Sequence, residues 1–242
     1  LLLCFVLNKP RTYLHAHPED ILSDETLSRL SSLVSRRLND EPIAYLTKSK
    51  EFYGRNFYVN HSVLIPRPES EAIIELLKKH IVADYHKIAD VGTGSGCLAV
   101  TVAKEFSYLH VDAYDIDTKA LAIARRNAQS HDVSVSLYQN NLLEHTPQQY
   151  DIIVANLPYV DRSWQRDNRE TFHEPSIALF ASDKGLALIK KLIKQSRDTL
   201  AQNGLLVLEA DPCQHADIIL EAKNSHLSLL DIDGYGIAFI KS

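Results

Sequence analysis

Methionine is absent from this chain altogether, its opening residue included, and the true start is therefore expected upstream of Leu1. Cysteine is scarce. Cys4, Cys97 and Cys213 are odd in number and far apart, and they form neither a CxxC pair nor a disulfide framework, which fits a reducing cytoplasm. Long apolar runs are missing too: Leu1 to Leu7 is too short to span a bilayer and lacks the basic leader and small-residue cleavage site of a secretory signal, so it reads as a buried helix segment and no membrane partner is expected. The eleven histidines come without an HExxH motif or a Cys/His cluster, and His15 and His17 fall in a polar, proline-containing stretch, so no metal is expected. A basic face is also lacking. The net charge is −5, and residues 1–80 carry 11 Lys and Arg against 10 Asp and Glu. A phosphate-gripping surface is disfavoured, and nucleic acid is not expected as a direct partner.

What is present is 45% hydrophobic residues, enough for a proper core in 242 residues. Residues 23–38 place Leu27, Leu30, Val34 and Leu38 at helical spacing behind Ser23 or Asp24 as N-cap, which predicts an amphipathic helix. "EFYGRNFYV" alternates around Gly54 like a short hairpin, and "SVLIPRPESEAIIELLKKH" predicts a strand, two prolines and a helix. From Ile88 onward, strands alternate with helices of 10–15 residues. That pattern predicts an α/β fold with a doubly wound, mostly parallel sheet. The last two strands, "LSLLDID" and "GIAFIK", have no long helix between them and predict an antiparallel hairpin at one end.

"ADVGTGSGC" runs a buried strand into Gly92, Thr93, Gly94, Ser95 and Gly96 just before a helix, a turn that lets a ligand approach closer than a Cβ would permit. The spacing is neither G-x-G-x-x-G nor a P-loop, and it holds no nucleophilic serine at its centre. Asp115 ends the next strand, where a carboxylate can accept both hydroxyls of a ribose. Asp117 is better placed to cap the following helix. With Asp90 ahead of the glycines, the set resembles the S-adenosylmethionine loop of class I methyltransferases, which implies that cofactor and a seven-stranded sheet. Asn140, Asn141, Leu142 and Leu143 at the third strand tip either frame the adenine or cap a turn.

"VANLPYV" ends the fourth strand at the same edge of the sheet. There the Asn156 side-chain oxygen and the Leu157 carbonyl, held extended by Pro158, are two fixed acceptors for the hydrogens of a planar NH2 group. Tyr159 offers a ring on which that group can stack. The tetrad is similar to the [DNS]-P-P-[YFW] motif of methyltransferases acting on planar nitrogens, with Leu157 in place of the first proline. N-L-P-Y is also usual in ribosomal RNA adenine dimethyltransferases, so an adenine-N6 methyltransferase acting on RNA or DNA is the alternative. A catalytically silent binding subunit is a further one.

The stretch "EPIAYLTKSKEFYGRNFYVNHSVLIPRPESEAIIE", followed by the glycine loop, the tetrad, "EPSIALF" and "NGLLVLEADPCQ", resembles in that order the HemK/PrmC family of release-factor glutamine N5-methyltransferases. "RPESE" is similar to the branch that acts on release factors. The resemblance implies a partial helical domain over 1–46 that docks the release factor, a β-hairpin linker over 47–68 and a catalytic domain over 69–242. It further implies a cytoplasmic monomer whose substrate is a release factor. Carried over by position, Gly92 to Gly96, Asp115, Asn141, Leu142 and Asn156 attend the cofactor, and Asn156, Leu157, Pro158 and Tyr159 clamp and activate the glutamine amide. Arg67 and Glu71 either attend the acceptor or simply pair at a helix start. Lys48 stands where the family usually has glycine, Asn141 where it has an acid, and "GYGIAFI" lacks an expected arginine.

Overall fold

The computed structural model describes residues 1–164 and 169–241; residues 165–168 and Ser242, inside the expected catalytic segment, lie outside the described residues. Strands β3 (Lys87–Val91), β4 (His110–Asp115), β5 (Ser136–Gln139), β6 (Tyr150–Ala155), β7 (Leu200–Glu209), β8 (Leu227–Asp233) and β9 (Gly236–Lys241) form one sheet in the order β5-β4-β3-β6-β7-β9-β8. The first five are parallel and β9 pairs antiparallel with both β7 and β8. The doubly wound sheet and its antiparallel end are thus as the alternation predicts. Strand order reverses between β3 and β6, and the crevice at such a reversal is where α/β sheets hold ligands.

Helices α5 (Glu71–His80), α6 (Cys97–Glu105), α7 (Thr118–Ser130), α8 (Ala187–Thr199) and α9 (His215–Asn224) supply the crossovers and flanks. Both faces of β6 are buried. Ile152 and Val154 pack with Ile73, Leu77 and Val102 of α5 and α6, whereas Ile153 and Ala155 pack with Ile189, Leu192 and Ile218 of α8 and α9. An apolar strand without polar alternation is the signature of this two-sided burial. Asp117 caps α7 through the Lys119 amide at 2.8 Å, and Ala120, Leu121, Ala124 and Ala128 are buried along one face.

Ahead of the sheet come α1 (Leu2–Leu7), α2 (Arg11–Ala16), α3 (Asp24–Leu38) and α4 (Ile43–Thr47), then the hairpin of β1 (Lys50–Phe52) and β2 (Arg55–Phe57). Its turn residues, Tyr53 and Gly54, both have positive φ, which matches strand twist in a two-residue loop. Phe52 and Phe57 sink into the core of the sheet. Two expectations need correction, those for residues 1–7 and 62–65. The Leu1–Leu7 run is helical, but of α1 only Val6 is buried. The helix over 23–38 is as its spacing predicts, with Ser23 capping α3, which packs on α1 and α4 and leaves Leu27, Val34 and Leu38 exposed. Residues 62–65 are no strand: Pro66 and Pro68 remove ladder donors, and the Ile65 amide donates instead to Glu174 Oε2 at 3.1 Å. Among the described residues, no helix is long and apolar enough to cross a membrane.

Lys48 follows the last turn of α4 in the left-handed conformation, φ 55° and ψ 30°. A Cβ is disfavoured there, which accounts for glycine at this place in the family the sequence resembles. Lys48→Gly is expected to raise unfolding stability by about 0.5–1 kcal/mol, read as a higher denaturant midpoint at unchanged slope.

Candidate active site

Strand register assembles the site. Val91 of β3 pairs with Tyr114 of β4 and with Ala155 of β6, and Ala155 pairs in turn with Leu208 of β7. One residue beyond each paired position stand Asp115, Gly92, Asn156 and Glu209. Four parallel strands therefore deliver a carboxylate, a glycine, a carboxamide and a second carboxylate in one row across the crevice.

Two of the three glycines in the turn have no room for a side chain. Gly92, Gly94 and Gly96 have φ of 77°, 54° and 78°. A Cβ on Gly92 would lie 2.8 Å from Leu157 Cδ2, and one on Gly96 would lie 3.0 Å from Ala124. The Gly92 and Thr93 amides both donate to the Tyr114 carbonyl, at 2.8 and 2.9 Å. Asp115 accepts from the Gly94 amide through Oδ2 and from the Asp117 amide through Oδ1, each at 2.9 Å. Burial raises its pKa above the ordinary carboxylate value. Asn127, which sequence reasoning missed, ties the turn to the hairpin: its amide nitrogen donates to the Ser95 carbonyl at 2.8 Å and to the Tyr58 carbonyl at 2.9 Å.

A first cavity is lined by Gly92 to Ser95, Asp115, Asn140 to Leu142 and Asn156 to Pro158, among others. Gly96 stands outside that lining and serves the packing of α6 on α7. Of the two open readings of the asparagines, the turn cap is the one their hydrogen bonds show. Asn140 donates to the Glu144 carbonyl at 2.9 Å and Asn141 donates to Glu144 Oε1 at 3.1 Å, so they close a turn while facing the cavity. With its nitrogen engaged, Asn141 keeps an oxygen to offer. Leu142 adopts φ 58°, an uncommon conformation for a bulky residue and one often found beside ligand sites.

A second cavity lies on the other side of the tetrad and shares Asn156, Leu157 and Pro158 with the first. Arg67, Glu69, Tyr159 and Glu209 are in its wall. Both hydrogens of Asn156 Nδ2 are committed, to Ser70 Oγ at 2.8 Å and to Glu209 Oε2 at 2.9 Å, so its oxygen is what it can present to a ligand. The Tyr159 hydroxyl donates to Glu209 Oε1 at 3.0 Å, and its carbonyl accepts from Gln214 Nε2 at 2.8 Å. Gly185 must be glycine for that carbonyl to fit, since a Cβ would lie 1.9 Å from it. Burial raises the pKa of both Glu209 and Tyr159.

Arg67 is in this wall, but its guanidinium is paired with the buried carboxylate of Glu174. Glu71 lines neither cavity. The first turn of α5 faces the hairpin, where Glu71 Oε1 accepts from the Tyr53 amide at 3.0 Å, and Glu69 lies at the cavity in its place. The pairing of Arg67 with Glu71 is likewise replaced by these two separate contacts. Glu209 was legible in principle: "LLVLEAD" is an apolar strand ending in an acid, as "VDAYDID" is. His17, Glu19 and Asp20 cluster on the exposed surface, with Asp20 already accepting from the Tyr13 hydroxyl at 2.8 Å.

Asp90 behind the loop accepts from Thr93 Oγ1 at 2.7 Å and the Ala99 amide at 3.1 Å through Oδ2, whereas Oδ1 has no hydrogen-bond partner among the described residues. Burial pushes its pKa up to about 6. A carboxyl raised on folding adds stability when protonated, below its unfolded value near 3.8, and that contribution is lost as pH rises through about 6. Asp90→Asn keeps a neutral group at every pH. Its stability relative to the natural chain should therefore rise by about 2–3 kcal/mol between pH 4 and pH 7, measured by urea unfolding at each pH.

The family model described as methyltransferase small domain matches residues 68–174, and that described as PrmC N-terminal domain matches residues 1–47. A release factor glutamine methyltransferase from Koribacter versatilis is 39% identical over 224 residues, covering 88% of this chain and 79% of that protein. One from Coxiella burnetii is 38% identical over 238 residues, covering 97% and 83%. A methyltransferase crystal structure from Pyrococcus furiosus shares the fold at a TM-score of 0.62 and 20% identity, over 88% of this chain and 99% of that one. Identity at this level across nearly the whole chain shows that it belongs to the release factor glutamine methyltransferase family.

Proposed function

We infer that the chain transfers a methyl group from S-adenosylmethionine to the side-chain amide nitrogen of the glutamine in the Gly-Gly-Gln motif of peptide chain release factors. One observation carries the reading: two cavities meet at Asn156, Leu157 and Pro158, one behind the glycine turn and Asp115, the other beside Tyr159 and Glu209. The names of the relatives support the same acceptor. The cofactor, when bound, supplies a sulfonium methyl whose C–S bond breaks with its electrons left on sulfur as the new N–C bond forms.

The residues present fit that cofactor. The turn from Gly92 to Ser95 is a cradle that a Cβ at Gly92 would fill, and Asp115 at its side suits the ribose hydroxyls. Asn141 and Leu142 suit the adenine. On the acceptor side, an amide nitrogen is a poor nucleophile because its electron pair is delocalised. Held through both hydrogens by the Asn156 oxygen and the Leu157 carbonyl, it is fixed with that pair toward the first cavity. Tyr159 stacks on the amide plane. Glu209 and Glu69 put negative potential where the nitrogen becomes positive, and the methylated nitrogen then sheds its proton to water.

In this reading residues 1–46 dock the release factor, 47–68 link, and 69–242 carry the chemistry. A physical route joins the first to the last: Arg37 pairs with Glu170 at 2.6 Å, and the His173 ring contacts the Asn39 carbonyl at 2.9 Å, beside Thr171 in the wall of the acceptor cavity. The decisive experiment incubates the chain with labelled cofactor, a release factor and ribosomal RNA, and maps the label. Label on the Gly-Gly-Gln glutamine is expected, and label on adenine would reverse the reading. Asn156→Ala should lower transfer by about 100- to 1000-fold and leave cofactor affinity within about twofold. Equal loss of both would contradict the division of roles.

A further inference from the structure

Behind the tetrad lies a carboxylate that the chemistry above uses only as background charge. Glu209 is 1% exposed and receives two neutral donors: Asn156 Nδ2 at 2.9 Å and the Tyr159 hydroxyl at 3.0 Å. Ser70 Oγ in turn accepts the other hydrogen of Asn156 Nδ2 at 2.8 Å. Arg67, in the wall of the same cavity, is paired with Glu174 and not with this acid.

A carboxamide turned half a revolution about its last bond exchanges oxygen for NH2 with almost no change of shape. Packing therefore cannot tell the two states of Asn156 apart. An ionised carboxylate can, because it only accepts: it attracts the NH2 edge and repels the oxygen. We propose that Glu209 is a positioning residue that locks Asn156 with its oxygen toward the acceptor, and so makes the site select an NH2 donor over a carboxylate of the same shape. The proposal rests on glutamine being the acceptor. It goes further in assigning the rejection of glutamate, the hydrolysed form of that side chain, to one buried acid outside the tetrad. Rejection has two parts: a glutamate would meet an acceptor where it needs a donor, and it would bring a third negative charge to a cavity already holding Glu69 and Glu209.

Glu209→Gln tests this, since a neutral amide at 209 can turn to match either state of Asn156. The probes are a release factor with its natural Gly-Gly-Gln sequence and the same factor with glutamate in place of that glutamine. In E209Q the preference for the glutamine form, read as a ratio of dissociation constants, should narrow at least about tenfold through gained affinity for the glutamate form. Transfer to glutamine should fall, and cofactor affinity should stay within about twofold. A rescue follows from the same logic. Adding Asn156→Asp to E209Q places an acceptor-only group at 156 against an amide at 209 that can donate to it, so orientation no longer matters. The pair should transfer at least about tenfold faster than E209Q alone.

Unchanged preference in E209Q, or a pair no faster than E209Q, overturns the proposal. Should E209Q alone not fold, N156D alone is the reference: its two facing carboxylates should cost transfer that Glu209→Gln restores, and an N156D as fast as the pair overturns the proposal. Wild-type transfer to the glutamine is the control. Its absence sinks the functional reading itself, whereas normal wild-type transfer with unaltered E209Q selectivity sinks only the role of Glu209.

Discussion

Everything in the crevice depends on the register of four parallel strands. Side chains alternate with period two along a strand, so a slip of one residue would turn Asn156 into the wall of the sheet and bring Ala155 or Leu157 to its tip. The register is held by burial on both faces: Ile152 and Val154 can pack only against α5 and α6, Ile153 and Ala155 only against α8 and α9. The core therefore fixes the chemistry. Asn156 stands between Gly92 and Glu209 because the apolar residues behind it admit one alignment.

The tips then constrain one another. Leu157 fills the space beside Gly92, which joins the tetrad to the glycine turn by direct packing. This gives a reason for leucine to stand in place of the motif's first proline. Its carbonyl is available from any residue, and its side chain closes the wall between the two cavities. Tyr159 is fixed at both ends, its hydroxyl on Glu209 and its carbonyl on Gln214, while Gly185 yields the room. The flat surface it offers is held in place by contacts from three separate segments.

Much of this was legible in the sequence because it is local. Glycines that need positive φ, an acid at a strand tip and a carboxamide before a proline are each readable within five or six residues, and the α/β alternation assigned them to one edge. What escaped is long-range. Ser70 and Glu209 meet Asn156 across 86 and 53 residues, and no local pattern announces either contact. Glu71 was drawn toward the acceptor by its place in "RPESE", but helical phase turns it to the hairpin and brings Glu69 to the cavity. The short extended segment at 62–65 read as a strand because its residues favour one, and two prolines overrode that preference.

The account stands on the orientation of one carboxamide, and side-chain amide hydrogens report it directly. With the chain selectively labelled at asparagine nitrogen and bound to a non-reactive cofactor analogue, NMR can follow the two Nδ2 protons of Asn156. Both should exchange slowly with solvent and keep their shifts when a Gly-Gly-Gln peptide is added, since they point to Ser70 and Glu209. Exchange at the rate of an exposed amide, or a large shift of those protons on peptide addition, would mean that Asn156 presents its nitrogen, and the account would fail.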